Sequence, residues 1–254
     1  MDRNADRGVV SFVVPAWNEE RWLPAALACI HEAAAAAGRP YEVVVADDGS
    51  TDRTAELATA AGARVVSVAH RQISATRNSG ARAARGDLLI FVDADTQVNE
   101  AVVSAALAAL DAGAVGGGAG IDFDGRVPLW SRLTLPLFLL AFRLSRFAAG
   151  CFFFCRRADF EAVGGFDPGV YAGEEILLSR ALRRRGRFVV LREKVRTSGR
   201  KLRGHSGPET WRVFWGLAWR GEQGLRSREH LDLWYRDDRE DPEGPEGPRS
   251  MAAR

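Results

Sequence analysis

Between residues 9 and 111, short apolar runs alternate with Ala-rich helical patterns, and few folds accommodate such an alternation. The apolar runs predict strands at residues 9–15, 41–46, 64–68 and 88–92. The segments between these runs, and residues 99–111 after the last one, have helical spacing. Strand–helix–strand units connect through right-handed crossovers and pair in parallel. We therefore predict an α/β fold with a Rossmann-like, mostly parallel sheet flanked by helices.

The apolar run 88–92 is followed directly by Asp93 and Asp95. Open α/β sheets bind ligands at the carboxyl ends of their strands. Because residues two apart on a strand point to the same side, we expect both carboxylates to face one small volume. Two such oxygen donors suit a Mg²⁺ or Mn²⁺ ion that is also held by the phosphates of a ligand. The alternative is a strand that ends in a solvated acidic turn.

The second half of the chain has a less regular pattern. Strands are predicted at residues 114–123, 151–155 and 188–191, and helices at residues 157–163 and 174–185. Residues 211–219 are rich in Trp and indicate an amphipathic helix. Residues 241–254 are rich in Pro, Gly and Glu, which predicts a disordered tail.

The composition is that of a globular protein with an uneven charge distribution. Apolar residues make up 46% and charged residues 27% of the 254 residues, and the net charge is +2. Residues 176–203 are densely basic, whereas residues 237–246 are mostly acidic. The three cysteines lack the spacing of a zinc site, so we expect reduced thiols in a cytoplasmic protein.

Neither a signal peptide nor a membrane-spanning helix is expected. Residues 1–7 are polar and lack an apolar core. The apolar segment 129–154 is interrupted by Arg132, Arg143 and Arg146, so it falls short of the roughly 20 uncharged residues of a spanning helix. Mixed apolar and basic residues at 130–147 suit either peripheral contact with the inner face of a membrane or packing on the sheet.

Several short motifs follow one another, most of them where strands are predicted to end. They are Val13-Val14-Pro15-Ala16-Trp17-Asn18-Glu19-Glu20, Asp47-Asp48-Gly49-Ser50-Thr51-Asp52, Arg77-Asn78-Ser79-Gly80, Gly86-Asp87, Asp93-Ala94-Asp95, Gly164-Gly165-Phe166 and Gly173-Glu174-Glu175. Taken in this order, the set resembles the inverting family 2 glycosyltransferases, which have the GT-A fold. The resemblance covers about residues 9 to 203.

The resemblance implies a GT-A domain at residues 1–205. Within it, a nucleotide-binding half covers about 9–112 and an acceptor half covers about 113–205. A C-terminal helical extension at 206–240 and the tail at 241–254 would follow.

The same resemblance assigns the nucleotide-sugar site. Pro15, Trp17 and Glu19 would line the base and ribose, and Asp48 would accept a hydrogen bond from the base. One of the neighbouring acids Asp47 and Asp48 is expected only to cap a turn.

Further along the chain, the resemblance implies a metal site and a residue that orients it. Arg77 would orient the nucleotide or the acidic loop, unless it is an exposed helical arginine. Asp93 would meet the ribose or the metal. Asp95 would bind the Mg²⁺ or Mn²⁺ that bridges the diphosphate, and this ion would stabilise the charge of the leaving group.

The catalytic base of the family is the second acid of a Glu-Asp pair that opens a helix. This chain has Glu174-Glu175, so Glu175 takes that position with one extra methylene, and Glu174 is the fallback. The alternative is that both acids only stabilise the helix N-terminus.

The Gln-x-x-Arg-Trp motif found near the C-terminal end of many family members is absent here. A Gly-containing basic segment at 196–203 stands in its place, and Arg200 or Lys201 would share the charge of the diphosphate. His205 would be a further metal ligand. A solvated basic surface and a structural histidine are the alternatives.

The expected activity is transfer of a sugar from a nucleotide-diphosphate-sugar donor to a hydroxyl or phosphate of a sugar, lipid-linked or small-molecule acceptor. A catalytically degenerate nucleotide-sugar-binding module is one alternative. A nucleotidyltransferase is less favoured, because Pro-Ala-Trp-Asn-Glu-Glu replaces the Gly-rich loop after the first strand. Nucleic acid is not an expected partner, since the basic region lacks a recognisable reading module.

Overall fold

The computed structural model describes residues 8–125, 128, 147–148 and 150–203, without the side chains of residues 201 and 202. The predicted extension at 206–240, the predicted tail, and most of the apolar segment at 129–154 lie outside the described residues. Within them, no helix is both long and apolar enough to span a membrane.

The described residues form a sheet of eight strands with seven helices. The strands are β1 (Val10–Ala16), β2 (Tyr41–Asp47), β3 (Arg64–Ser67), β4 (Leu88–Val92), β5 (Thr96–Gln97), β6 (Gly116–Phe123), β7 (Phe152–Arg156) and β8 (Phe188–Thr197). The helices are α1 (Leu23–Ala36), α2 (Thr54–Ala60), α3 (Ile73–Ala83), α4 (Glu100–Asp111), α5 (Arg157–Ala162), α6 (Glu174–Arg183) and α7 (Arg200–Arg203).

The strand order is β3-β2-β1-β4-β7-β6-β8-β5. The first four strands pair in parallel, as the alternating sequence pattern predicts. β7 pairs antiparallel with both β4 and β6, and β8 returns to a parallel pairing with β6. The predicted Rossmann-like sheet flanked by helices is confirmed, and its irregular half starts where β7 joins β4.

Alternating side chains of the central strands fill a separate apolar core on each face of the sheet. Phe12 faces the core that includes Leu27 of α1. Val13 faces the opposite core, with Phe91 and Leu178 of α6. Fully burying a side chain of this size stabilises the fold by roughly 1.5–3 kcal/mol. The carboxyl ends of the strands are thereby fixed between two packed layers.

The packing of α3 explains why one of the sequence motifs ends in glycine, at Gly80. A Cβ at this position would lie 2.5 Å from Cγ1 of Val13 and 3.4 Å from Cβ of Ala46. Helix α3 therefore packs against β1 and β2 at a distance that only glycine permits. Arg77, one turn earlier on α3, reaches Asp93 just beyond the end of β4.

Three local features differ from the sequence prediction. β1 continues through Pro15 to Ala16, because the ladder with β4 ends at Val13 and the missing amide of Pro15 breaks no pairing there. β8 continues to Thr197, where the unpredicted two-residue strand β5 pairs with it. Asp52, which the motif places before α2 as a candidate N-cap, is one residue too early: the N-cap is Arg53, although the Asp52 carboxylate accepts the amide of Thr54.

Candidate active site

Asp93 and Asp95 lie in a turn that begins where β4 ends, at Val92. The amide of Thr96 donates to the carbonyl of Asp93 at 2.9 Å and closes this turn. The two-residue period of a strand therefore does not apply to the two carboxylates, and their shared direction stays a prediction without that support. Each carboxylate binds a different arginine.

The first arginine, Arg77, is buried at the centre of what we call the Arg77 cluster: Arg77, Asp93, Gly150 and Glu174. Its Nη1 donates to Oε1 of Glu174 at 2.6 Å, and its Nη2 donates to Oδ1 of Asp93 at 2.7 Å and to the carbonyl of Gly150 at 2.9 Å. The Arg77 side chain is only 3% exposed, which excludes the exposed helical alternative. Burial lowers the pKa of Arg77, but the nearby Asp93 and Glu174 outweigh it and raise that pKa above its ordinary value.

Two neighbouring motif residues fix the segment that leads to the acidic pair. Asn78 forms paired hydrogen bonds with the backbone of Phe166, one to its carbonyl at 2.8 Å and one from its amide at 3.0 Å. The side-chain amide of Gln72 donates to the carbonyls of Pro168 and Val170 at 2.8 and 2.9 Å. Helix α3 thus holds the chain from Phe166 to Val170, which leads into α6.

Glu174 and Glu175 open α6, directly after Gly173, whose φ of +68° lies in the left-handed region that favours glycine. Glu174 is buried and bound by Arg77. Glu175 is partly buried beside it. Burial, and then repulsion by Glu174, raise the pKa of Glu175 to about 8, although Arg77 acts in the opposite direction. The pair therefore divides into one acid held by an arginine and one acid with a strongly raised pKa.

The second arginine, Arg200 of α7, forms what we call the Arg200 cluster with Glu19 and Asp95. Its Nη2 donates to Oε1 of Glu19 at 2.7 Å and lies 3.0 Å from Oδ2 of Asp95. The three side chains are between 7% and 10% exposed. The guanidinium carbon also lies 5.6 Å from the ring centre of Trp22, a cation–π distance. Arg200 therefore joins the loop after β1 to the acidic turn after β4.

The loop after β1 is tied to the loop after β2. The amide of Asn18 donates to Oγ of Ser50 at 2.9 Å, and the amide of Glu19 donates to Oγ1 of Thr54 at 2.8 Å. Trp17 precedes these contacts, and the guanidinium carbon of Arg71 lies 4.2 Å from its ring centre. Pro15 is buried at the end of β1, so all three residues predicted to line the base and ribose lie at one edge of the sheet.

Asp48 is buried and has both carboxylate oxygens engaged. Oδ1 accepts the amides of His70 and Arg71, and Oδ2 accepts the amide of Gln72 and the hydroxyl of Thr76. These bonds fix the segment that enters α3. The hydrogen bond between Asp48 and a nucleotide base stays a prediction. For it to form, an oxygen of Asp48 would have to accept it in addition to the bonds that this oxygen already accepts. The neighbouring Asp47 accepts the amide of Ser50 at 3.4 Å, as expected of a turn cap.

The side chains of two predicted site residues lie outside the described part of the chain, and three residues that contact the site were not predicted. The side chain of Lys201 and all of His205 lie outside the described residues. Gly150, Arg71 and Trp22 contact predicted site residues, yet the sequence carries no signal for them. Gly150 belongs to no motif, and arginine and tryptophan side chains occur on many surfaces.

The described donors suit a metal that is shared with a ligand. Within residues 8–125 and 150–203, no group of three or more His, Cys, Asp or Glu side chains is placed to hold a metal ion. Mg²⁺ commonly uses only one or two carboxylates and takes its other ligands from phosphates and water. The guanidinium on Asp95 shows that this carboxylate attracts a positive charge. The donor set therefore fits the expected ion.

Comparison with known proteins agrees with this geometry. The model of the family described as glycosyl transferase family 2 matches residues 11–164. An undecaprenyl-phosphate 4-deoxy-4-formamido-L-arabinose transferase from Pseudomonas paraeruginosa is 44% identical over 101 residues. This match covers 35% of the present chain and only 28% of the relative.

Solved structures share the fold at low sequence identity. A mannosyltransferase from Pyrobaculum calidifontis in complex with GDP-Man and Mn²⁺ has a TM-score of 0.63 at 20% identity, over 83% of this chain and 61% of that one. Glucosyl-3-phosphoglycerate synthase from Mycobacterium tuberculosis, in complex with Mn²⁺, UDP and glucosyl-3-phosphoglycerate, has a TM-score of 0.59 at 23% identity, over 88% and 82% of the two chains. These similarities confirm the GT-A fold. Since the family model covers more than half of the sequence, the chain belongs to glycosyl transferase family 2.

Proposed function

We propose that this chain transfers a sugar, with inversion, from a nucleotide-diphosphate-sugar donor to a hydroxyl or phosphate acceptor. The observation that carries the proposal is the division of roles between Glu174 and Glu175. Glu174 is paired with Arg77 at 2.6 Å, whereas Glu175 forms no ion pair within the part of the chain that the structure describes, and its pKa is raised to about 8. A general base is most effective when its pKa lies near the working pH. Glu175 is therefore the proposed base.

The position of Glu175 supports this assignment. A Cβ added to Gly150 would lie 3.4 Å from Cδ of Glu175 and 3.5 Å from Nη2 of Arg77. Glu175 therefore lies against the backbone next to the Arg77 cluster, which also contains the Asp93 carboxylate. This places the proposed base close to Asp93, the carboxylate proposed to meet the ribose or the metal.

With a hydroxyl acceptor, the proton of the hydroxyl passes to Glu175 as its oxygen bonds to the anomeric carbon of the sugar. The bond from that carbon to the diphosphate breaks, and the nucleoside diphosphate leaves with the electron pair. Asp95 is the proposed ligand of Mg²⁺ or Mn²⁺, which would stabilise the negative charge of the leaving diphosphate. Glu19, Trp17 and Pro15 are proposed to hold the nucleoside.

A phosphate acceptor would place a different demand on Glu175. The relative from Pseudomonas paraeruginosa carries undecaprenyl-phosphate in its name. A phosphate oxygen is already ionised at neutral pH and needs no base, so a protonated Glu175 would donate a hydrogen bond to it instead. The two acceptor classes therefore predict opposite pH profiles: the rate rises toward pH 8 for a hydroxyl and falls for a phosphate.

The test is a thermal shift with a panel of nucleoside diphosphates and nucleotide-sugars, with and without Mn²⁺. We expect one nucleotide to raise the melting temperature in a metal-dependent way, because a ligand of the folded state stabilises it by mass action. Asp95→Asn should abolish the shift. Asp122→Asn is the matched control, because Asp122 is an exposed carboxylate paired with Lys194 and belongs to neither arginine cluster.

Turnover follows with the nucleotide-sugar that binds, by release of the nucleoside diphosphate. Absence of any nucleotide shift would contradict the donor site. A shift without turnover, unchanged in Glu175→Gln, would instead indicate the nucleotide-sugar-binding module.

A further inference from the structure

We propose that Arg200 is a built-in cation that occupies the metal-binding carboxylate Asp95 until metal and nucleotide arrive together. This inference rests on the proposed function, since it assumes that Asp95 binds the metal and Glu19 the nucleoside. It adds a device that couples the two binding events. Its consequence is that the protein without nucleotide binds the metal weakly.

The geometry of the Arg200 cluster is that of a bridge between two subsites. A single atom, Nη2 of Arg200, contacts both Oε1 of Glu19 and Oδ2 of Asp95. The two carboxylates belong to segments 76 positions apart in the chain, and Arg200 lies in a third segment. The guanidinium is thus shared by the proposed nucleoside site and the proposed metal site.

The burial of the cluster makes this bridge costly to disrupt. The side chain of Arg200 is 9% exposed, and Glu19 and Asp95 are 7% and 10% exposed. An unpaired charge in such surroundings is strongly unfavourable. Arg200 therefore keeps its contact with Asp95 until another anion binds next to it.

The backbone around Arg200 is held independently of this bridge. The amide of Gly199 donates to Oδ1 of Asp124 at 2.6 Å, and Arg203 donates to the carbonyl of Asp124 at 2.9 Å. These contacts anchor the segment on both sides of Arg200. The side chain of Arg200 can then change partners without displacement of the segment.

Charge balance explains why the metal alone cannot replace Arg200. A divalent ion on Asp95 would lie close to the guanidinium and repel it, because the carboxylates of Asp95 and Glu19 carry two negative charges against three positive charges. The diphosphate of a nucleotide supplies the missing negative charge. Arg200 can then leave Asp95 for a phosphate oxygen, which an arginine binds strongly.

The experiment measures Mn²⁺ affinity by electron paramagnetic resonance of the free ion, first without nucleotide. We expect Arg200→Gln to bind Mn²⁺ about tenfold more tightly than the wild-type protein, within the usual range of coupling between two sites. Arg39→Gln is the matched control: it removes a similarly buried arginine, paired with Asp111 at the end of α4, and should leave Mn²⁺ affinity unchanged. Adding Asp95→Asn to Arg200→Gln should remove the gain.

A second variant covers the risk that Arg200→Gln does not fold. Glu19→Gln with Arg200→Gln removes one carboxylate along with the guanidinium, which keeps the net charge of the cluster unchanged, and it should show the same tighter Mn²⁺ binding. If neither folded variant binds Mn²⁺ more tightly than the wild-type protein, the proposal is overturned.

A further measurement adds the nucleoside diphosphate. In the wild-type protein it should raise Mn²⁺ affinity, and by reciprocity Mn²⁺ should raise nucleotide affinity by the same factor. Both factors should shrink in Arg200→Gln, and unchanged factors would contradict the proposal.

Failure of the proposed function would give a different result from failure of the proposal about Arg200. In that case no nucleotide binds the wild-type protein or the variants, whereas the comparison of Mn²⁺ affinity needs no nucleotide and can succeed or fail by itself.

Discussion

The Arg77 cluster and the Arg200 cluster have the same plan but different surroundings. In each, a buried arginine joins one aspartate of the turn after β4 to a glutamate from a distant segment. Arg77 also donates to a backbone carbonyl, that of Gly150, and contacts the ring of Phe166 at 5.3 Å. Arg200 instead binds two carboxylates, those of Glu19 and Asp95, which are both proposed to bind ligands, and its other contact in the cluster region is the ring of Trp22. We therefore expect the first cluster to be part of the framework and the second to open when ligands bind.

The largest effect should follow from Arg77→Met. It leaves Glu174 buried without its cation, and breaking a buried ion pair from one side destabilises by about 3–5 kcal/mol. Chemical denaturation measures the loss, which should persist when Mn²⁺ is added. Recovery of stability with Mn²⁺ would mean that the Arg77 cluster also binds ligands, and the proposed difference between the two clusters would be wrong.

Glu175→Gln tests the acid that the Arg77 cluster leaves available. With a hydroxyl acceptor, we expect the rate of transfer to fall about a hundredfold or more, because the base is lost while its shape is kept. Glu175→Asp should retain more activity than Glu175→Gln. Equal rates in the wild-type protein and Glu175→Gln would exclude Glu175 as the base.

The raised pKa of Glu175 also predicts how stability depends on pH. Because the folded state holds this proton up to about pH 8 and the unfolded state releases it near pH 4.5, stability should fall as the pH rises between these values. Allowing for partial exposure, the contribution is on the order of 2 kcal/mol. Glu175→Gln should remove this slope, as followed by denaturation at pH 5 and pH 8. A variant with the wild-type slope would show that other groups cause it.

The smallest effect is the response of Arg200→Met to metal. Its stability should drop without Mn²⁺, because Glu19 and Asp95 lose their shared cation. Mn²⁺ at about five times its Kd should return roughly 1 kcal/mol through binding to the folded state. The wild-type protein should gain less at the same concentration. An equal gain in both proteins would mean that Arg200 does not compete with the metal and is structural, like Arg77.

Much of the fold was predictable because local patterns encode it. The alternation over residues 9–111 gave the parallel strands β1 to β4 and their helices, since apolar spacing reports which face each element buries. The irregular half was harder to predict. Nothing local shows that β7 pairs antiparallel with β4, yet that pairing brings Gly150 and Cys151 beside Asp93.

The candidate site divides in the same way. The sequence identified Asp93, Asp95, Glu174 and Glu175 by type and order, but the choice between the two glutamates depended on which of them Arg77 reaches, 97 residues away. Asp48 shows the opposite case: its residue type suits base recognition, but the fold engages both its oxygens with the segment entering α3.

By itself, therefore, the sequence determined the parallel core, the family and the set of acids and arginines from which the site is built. Only the tertiary structure decided their pairing, Arg77 with Asp93 and Glu174, and Arg200 with Glu19 and Asp95. The physical reason is that strand and helix preferences act over a few residues and leave a periodic trace. Ion pairs between distant segments leave none, because any arginine can bind any carboxylate until packing of the sheet and helices brings particular ones together.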